Sequence, residues 1–259
     1  MMVRETHPDN FNARNVATAL QQTSTLRNSI DGDDIEAFRV LSRAVARVAH
    51  TMSPKGLIES MTIILNGHCS AGGDVDVQSI DGDDAAAIRV LSECIARVAH
   101  RMPAQPVIDA MSTLANVAGM GLEGVPAALR AVNIAATRVS GDLTSDSEPR
   151  VSALWRAWGK MAWAGIDVDH AAVRATGIRV MDAAPGMSPG GVASAVHALG
   201  HLVESPVLVD DTVVRALTDA VTRVSPEFID TWFVSSVLSG LARIAESGVD
   251  VDPTVGSNG

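Results

Sequence analysis

The stretch SIDGDDIEAFRVLSRAVARVAH occupies residues 29–50, and SIDGDDAAAIRVLSECIARVAH occupies residues 79–100. The strings SIDGDD, RVLS and ARVAH therefore recur at a fixed interval of 50 residues. Identical strings at a fixed interval indicate an internal repeat, in which each copy forms one supersecondary unit. Any fold assigned to this chain has to accommodate that repeat.

The repeat extends along most of the chain through two equivalent positions per copy. The first position is aliphatic in six copies: Val16, Leu57, Val107, Val151, Val192 and Val234. The second is an Arg-Val pair in five copies, whose arginines are Arg47, Arg97, Arg138, Arg179 and Arg223. Neighbouring copies lie 41 to 50 residues apart, and the length differences fall between the two positions, as is typical of loops between fixed elements.

Both segments of each copy have the pattern of an amphipathic helix. In the fourth copy, for example, Trp155 and Trp158 follow Val151 on one helical face, and Arg156 and Lys160 lie on the opposite face. We predict an all-α fold, specifically an α-solenoid of about five and a half helix-turn-helix units of HEAT or armadillo type. The units are expected near residues 11–52, 53–102, 103–143, 147–187, 188–228 and 229–252, forming one repeat domain over 11–252 with flexible ends at 1–10 and 253–259.

Residues that start and end helices support these units. Acidic residues stand where each second helix should begin, and we predict that they cap it: Asp34, Asp84, Asp169 and Asp211. Met-Ser-Pro or Met-Pro at Met52, Met102 and Met187 predicts the turn into the next unit. The sixth copy contains only its first segment, so we expect an apolar helix face without a partner helix, and we interpret the chain as a segment of a longer array.

Composition disfavours several classes of function. Thirty acidic against twenty basic residues give a net charge of -10, which disfavours DNA, RNA and anionic membranes as partners. No apolar run approaches the roughly 20 residues of a membrane span, and residues 1–10 lack a signal-peptide pattern. The two cysteines, Cys69 and Cys94, are too few for a disulfide framework and suit a reducing compartment.

Three segments resemble a known repeat family. FNARNVATALQQTSTL at 11–26, VSALWRAWGKMA at 151–162 and VASAVHALGHL at 192–202 are similar to the repeats of SKWP-type bacterial type III effectors. This resemblance implies a fragment of a large virulence protein that plant pathogens secrete into host cells, where it would bind a host protein; without it, a cytoplasmic location is expected. Octotricopeptide repeats look similar too, and they imply the alternative of a modular RNA-binding protein.

The candidate site is a polar strip along the first helices of units four to six. We predict that it binds a protein partner through Arg156, Lys160, Trp163, His197, His201, Ser239 and Arg243. Trp163 aligns with Glu204 and Glu246, so it is expected to be an exposed anchor. The spacing of His197 and His201 is compatible with a metal, but we interpret these positions as solvated polar side chains and expect no metal or cofactor.

The remaining candidates have simpler interpretations. Because no nucleophile, base and orienting group occur together, we do not expect an enzyme, although a site on a concave face stays a less favoured alternative. The repeated arginines could form an anion-binding ladder, but cations in the last turns of helices typically bind free carbonyls or acidic neighbours. Cys94 replaces alanine and is predicted to be buried, and the carboxylates of residues 74–84 suit helix capping better than calcium binding.

Overall fold

A computed structural model describes residues 12–26, 32–66, 68, 80–118, 121–143, 148–205, 207, 209–227 and 231–248. These residues contain eleven α-helices that pack against each other, and no strand occurs among them, which confirms the all-α prediction. The helices are α1 (Ala13–Leu26), α2 (Gly32–Val48), α3 (Pro54–Asn66), α4 (Gly82–Val98), α5 (Ala104–Val117), α6 (Val125–Asp142), α7 (Glu148–Trp163), α8 (His170–Ala183), α9 (Pro189–Glu204), α10 (Asp211–Val224) and α11 (Thr231–Glu246).

The chain divides into two compact units, residues 1–132 and 133–259. In the first unit, α1 packs against α2 and α3 against α4, so consecutive helices form pairs. Helices α1, α3 and α5 also pack in succession, and α2 packs on α4. The apolar faces predicted from the period are buried between these helices, with Leu41, Met61, Ile88 and Met111 fully inaccessible.

The second unit repeats this arrangement. Helix α7 pairs with α8 and α9 with α10, while α7, α9 and α11 pack in succession and α8 packs on α10. Trp155 and Trp158 fill the space between them, as the sequence predicts, and both are fully buried. Each indole N–H still has a partner, because Trp155 donates to the Ala195 carbonyl at 3.1 Å and Trp158 donates to the Thr176 hydroxyl at 3.2 Å.

Glycines allow α7, α9 and α11 to approach at backbone contact. A Cβ added at Gly159 of α7 would lie 2.7 Å from the Cα of Ala198 of α9. One added at Gly240 of α11 would lie 2.5 Å from the Val196 carbonyl oxygen. Since real Cβ atoms essentially never come this close, a side chain at either position would push the helices apart.

The predicted helix caps are correct at one position and displaced at two others. Asp169 caps α8 by accepting hydrogen bonds from the amides of its first turn, at 2.9 and 3.2 Å. Asp81, rather than Asp84, caps α4, and Asp210, rather than Asp211, caps α10. The side chain of the fourth predicted cap, in α2, lies outside the described residues.

Asp84 has a different structural role. Its side chain is only 2% exposed, and one carboxylate oxygen lies 2.7 Å from Nε2 of His68, from the loop between α3 and α4. Residues 69–79 of that loop, with Cys69 and most of the acidic run, lie outside the described residues. Cys94 is buried at 3% exposure, as predicted.

The Met-Ser-Pro turns occur where the sequence predicts them. Helix α3 begins at Pro54 and α9 at Pro189. The preceding serine hydroxyls accept hydrogen bonds from the amides of Gly56 and Gly191, at 3.1 and 3.2 Å. Proline suits the first helical position because its missing N–H would have no helical partner there. Among the described helices, none is both long enough and apolar enough to cross a membrane.

Candidate functional site

The residues of the predicted strip lie on three helices that pack in succession. Arg156, Lys160 and Trp163 lie on α7, His197 and His201 on α9, and Ser239 and Arg243 on α11. The close approach of these helices brings Trp163, His201 and Arg243 together. Arg156 is exposed at one end of the strip, and Ser239 is half-buried without a described hydrogen bond.

The two histidines face each other along α9. Their Nε2 atoms lie 3.4 Å apart, and the rings meet edge to face with centroids separated by 4.8 Å. His201 is only 9% exposed, because α11 covers it. The prediction that this face carries solvated polar side chains is therefore wrong for His201, since the glycine contacts place the neighbouring helix directly over it.

Arg243 connects α11 to this pair. One guanidinium nitrogen of Arg243 lies 3.2 Å from Nδ1 of His201, and the same nitrogen donates to the Glu204 carboxylate. Because a guanidinium is always protonated, Nδ1 of His201 has to accept, and the neutral ring then carries its proton on Nε2. That N–H points at Nε2 of His197, so the cluster forms a directed chain from Arg243 through His201 to His197.

Both imidazoles are neutral at neutral pH. Burial, the Arg243 guanidinium and His197 together lower the pKa of His201 to about 4, although Glu204 opposes them. Burial also lowers the pKa of His197, with Arg243 adding to the effect and the backbone at Ser236 opposing it. The pair therefore contributes hydrogen bonding and shape to the surface rather than charge.

Apart from Arg243, which pairs with Glu204, the cations of the strip lie on α7. Burial lowers the pKa of the Lys160 ammonium, and the nearby guanidinium of Arg156 lowers it further. Two cations one helical turn apart repel each other, so this end of the strip favours a negatively charged contact.

Trp163 is exposed, as predicted, with 66% of its surface accessible. Its ring centroid lies 6.1 Å from that of His201, with the planes tilted by 55°. The indole thus stands beside the histidine pair while most of its apolar surface meets solvent. Tryptophan is among the residues that contribute most of the binding energy at protein interfaces, and the contact with the buried His201 holds this indole in place.

The spacing of His197 and His201 on α9 is compatible with a bound metal ion. The donor geometry does not suit one, because Nδ1 of His201 is used by Arg243 and Nε2 carries the proton. Glu204 lies on the Nδ1 side, 3.9 Å from that atom. Within the described residues, no group of three or more His, Cys, Asp or Glu side chains could hold a metal ion.

Two of the repeated arginines have the structural partners that their positions indicate. Arg223 donates to the backbone carbonyls of Ala184 and Met187, at 3.1 and 2.8 Å, and so ties α10 to the turn after α8. Arg179 pairs with Asp182 at 3.7 Å. These contacts favour the interpretation that the arginines stabilise helix ends over a phosphate-binding ladder.

Sequence reasoning placed His201 and Arg243 in one strip but missed their contact and the role of Glu204. The sequence contains the information that predicts this contact, because residues 201 and 243 are separated by 42 positions, which is the spacing between the fifth and sixth copies. Equivalent positions of neighbouring copies lie side by side when the helices stack.

Comparison with protein families, with curated proteins and with solved structures finds no match to the chain.

Proposed function

We propose that this chain is a non-enzymatic interaction scaffold, an α-solenoid of about five and a half helical units that binds a protein partner. The succession of α7, α9 and α11 in one row, with α8 and α10 in a second, supports the solenoid arrangement. In such a fold, side chains at equivalent positions of neighbouring helices form one continuous surface. The resemblance to SKWP-type effectors supports a host protein as the partner and secretion into the host cell.

The observation that carries the proposal is the exposed Trp163 beside a fixed polar cluster. His201, Arg243 and Glu204 hold each other through hydrogen bonds, so little side-chain entropy is lost when a partner covers them. Trp163 supplies apolar area at low entropic cost, and Arg156 with Lys160 supplies a positive end. A binding role is favoured over catalysis because both nitrogens of His201 face other side chains of the cluster.

The proposal is tested by affinity capture from host plant lysate with matched variants of the chain. R156E/K160E reverses the positive end, and W163A removes the apolar anchor. R174E/R215E serves as the control, since Arg174 and Arg215 are exposed on α8 and α10, away from the strip. We expect a protein that wild type and the control retain and that both strip variants lose, as measured by quantitative mass spectrometry.

A partner set that is identical for all four proteins would contradict the proposal. RNA binding is measured separately by fluorescence polarisation with random-sequence RNA at physiological ionic strength. If the wild-type chain binds RNA in a salt-dependent manner and R156E/K160E abolishes that binding, RNA rather than a protein is the partner. The net charge of -10 leads us to expect no RNA binding.

A further inference from the structure

Helix α11 exposes an uncharged apolar face that its counterparts in the same unit bury. Leu238 is 62% exposed and Val234 40%, whereas the equivalent Val196 and Val192 of α9 are at most 1% exposed. Ala242 is exposed too, at the position where the equivalent Gly200 of α9 contacts Gly240 of α11. The face is therefore of the kind that forms helix–helix contacts elsewhere in this chain.

We infer that a second copy of this chain covers this face, through antiparallel pairing of the two α11 helices about a two-fold axis at Leu238. In that arrangement Leu238 meets its own counterpart, and Val234 of each copy meets Ala242 of the other. The larger Val234 then lies against the smaller Ala242 at two symmetric places, so the face is complementary to itself, as a two-fold interface requires. This inference does not depend on the polar strip or its partner.

The absence of charged residues from the outer face of α11 allows a second copy to bind there. The outer face carries Val234, Ser235, Leu238, Ala242 and Ala245, and none of these residues is charged. Two copies that each carry a net charge of -10 can therefore approach at this face without placing like charges in contact.

The ends of the helix favour the antiparallel orientation over a parallel one. Glu246 ends α11, and antiparallel pairing brings it to the N-terminal end of the other helix, near Thr231, where the helix dipole favours a carboxylate. Parallel pairing would instead place the two Glu246 carboxylates side by side.

The size of the face sets the expected affinity. One helix packed on one helix buries less than the roughly 800 Å² per partner of a standard stable interface. We therefore expect a weak dimer with a dissociation constant on the order of 10 to 100 μM. Sedimentation equilibrium over roughly 1 to 500 μM, from about ten-fold below that range to about five-fold above it, should show a concentration-dependent monomer–dimer equilibrium.

Two matched substitutions test the location of the interface. L238E places a carboxylate at the axis and is expected to weaken dimerisation at least about ten-fold. I134E makes the same chemical change at Ile134 of α6, which is 73% exposed, and should leave the dimer unchanged. Circular dichroism checks that both variants keep their helices. A monomer throughout the concentration range, or a dimer that L238E leaves intact, would overturn the inference.

Disulfide trapping tests the orientation independently. In a C69S/C94A background, L238C should form a cross-linked dimer on mild oxidation, because the two thiols meet at the axis. A245C should not, since seven residues at 1.5 Å each place it about 10.5 Å from the axis, and its counterpart lies equally far on the other side, so the thiols are about 21 Å apart in the antiparallel pair. Parallel pairing would bring both pairs of thiols together, so equal cross-linking of L238C and A245C contradicts the proposed dimer, as does an absence of cross-linking by L238C.

Discussion

Acidification from pH 7 to pH 4.5 should destabilise the helices that surround His201. In the unfolded chain His201 has its ordinary pKa of 6.5, and in the folded chain its pKa is about 4. The folded state therefore binds fewer protons, and its stability falls as pH decreases from about 6.5 toward 4. The full difference between the two pKa values corresponds to about 3 kcal/mol, and the part lost between pH 7 and pH 4.5 to about 2 kcal/mol.

The pH window separates this histidine from the carboxylates. Burial raises the pKa of the capping carboxylates Asp81, Asp169 and Asp210, and at Asp81 it is the largest single effect. The hydrogen bonds that these carboxylates accept nevertheless favour their charged forms and hold all three pKa values below their usual 3.8. Their contribution to stability is present above pH 3.8 and is lost only as pH falls through the lowered pKa values. Above pH 4 these three carboxylates remain ionised, so they do not contribute to the loss of stability in this window.

The measurement is urea denaturation at pH 7 and pH 4.5, with the free energy of unfolding obtained from midpoint and slope. H201Q keeps a polar side chain that does not titrate, and we expect its pH-dependent loss to be smaller by about 2 kcal/mol than that of the wild type. H50Q changes an exposed histidine and should retain the wild-type dependence. Equal pH dependence of H201Q and the wild type would refute the burial argument.

Two further predictions concern the packing and capping of the helices. G240A should destabilise the chain by about 1–3 kcal/mol, because its Cβ would lie 2.5 Å from the Val196 carbonyl oxygen. G141A, a helical glycine with open space around it, should have no such cost, and equal melting temperatures of the two variants would contradict the contact. D169A should cost about 1 kcal/mol by removing the α8 cap, whereas D167A, two residues earlier, should change the urea midpoint little.

The period of apolar residues was sufficient to predict which segments are helical and which tryptophans are buried. Trp155 and Trp158 follow an aliphatic position at helical spacing, and both fill the core. The burial of His201 could not be predicted in the same way, because a polar side chain on a helix normally faces water. The glycines of α9 and α11 bring the next helix over it, and this effect depends on the distance between helix axes rather than on the period.

The displaced caps have a local explanation. The string DGDD offers Asp81, Asp83 and Asp84 within four residues, and helical period alone does not determine which carboxylate caps the helix. The structure assigns Asp81 to the cap and buries Asp84 against His68. His68 belongs to a loop that only one copy has, so no comparison among the copies predicts its contact.

The distribution of tryptophan gives the chain a built-in optical reporter. All four tryptophans lie in residues 133–259 and tyrosine is absent from the sequence, so indole emission originates entirely from the second compact unit. Two of the indoles are buried and hydrogen-bonded, and their emission should shift to longer wavelength when that unit melts. Ellipticity in the far ultraviolet comes from helices of both units. A difference between the two signals during denaturation would thus reveal whether the halves of the chain unfold together, without any label.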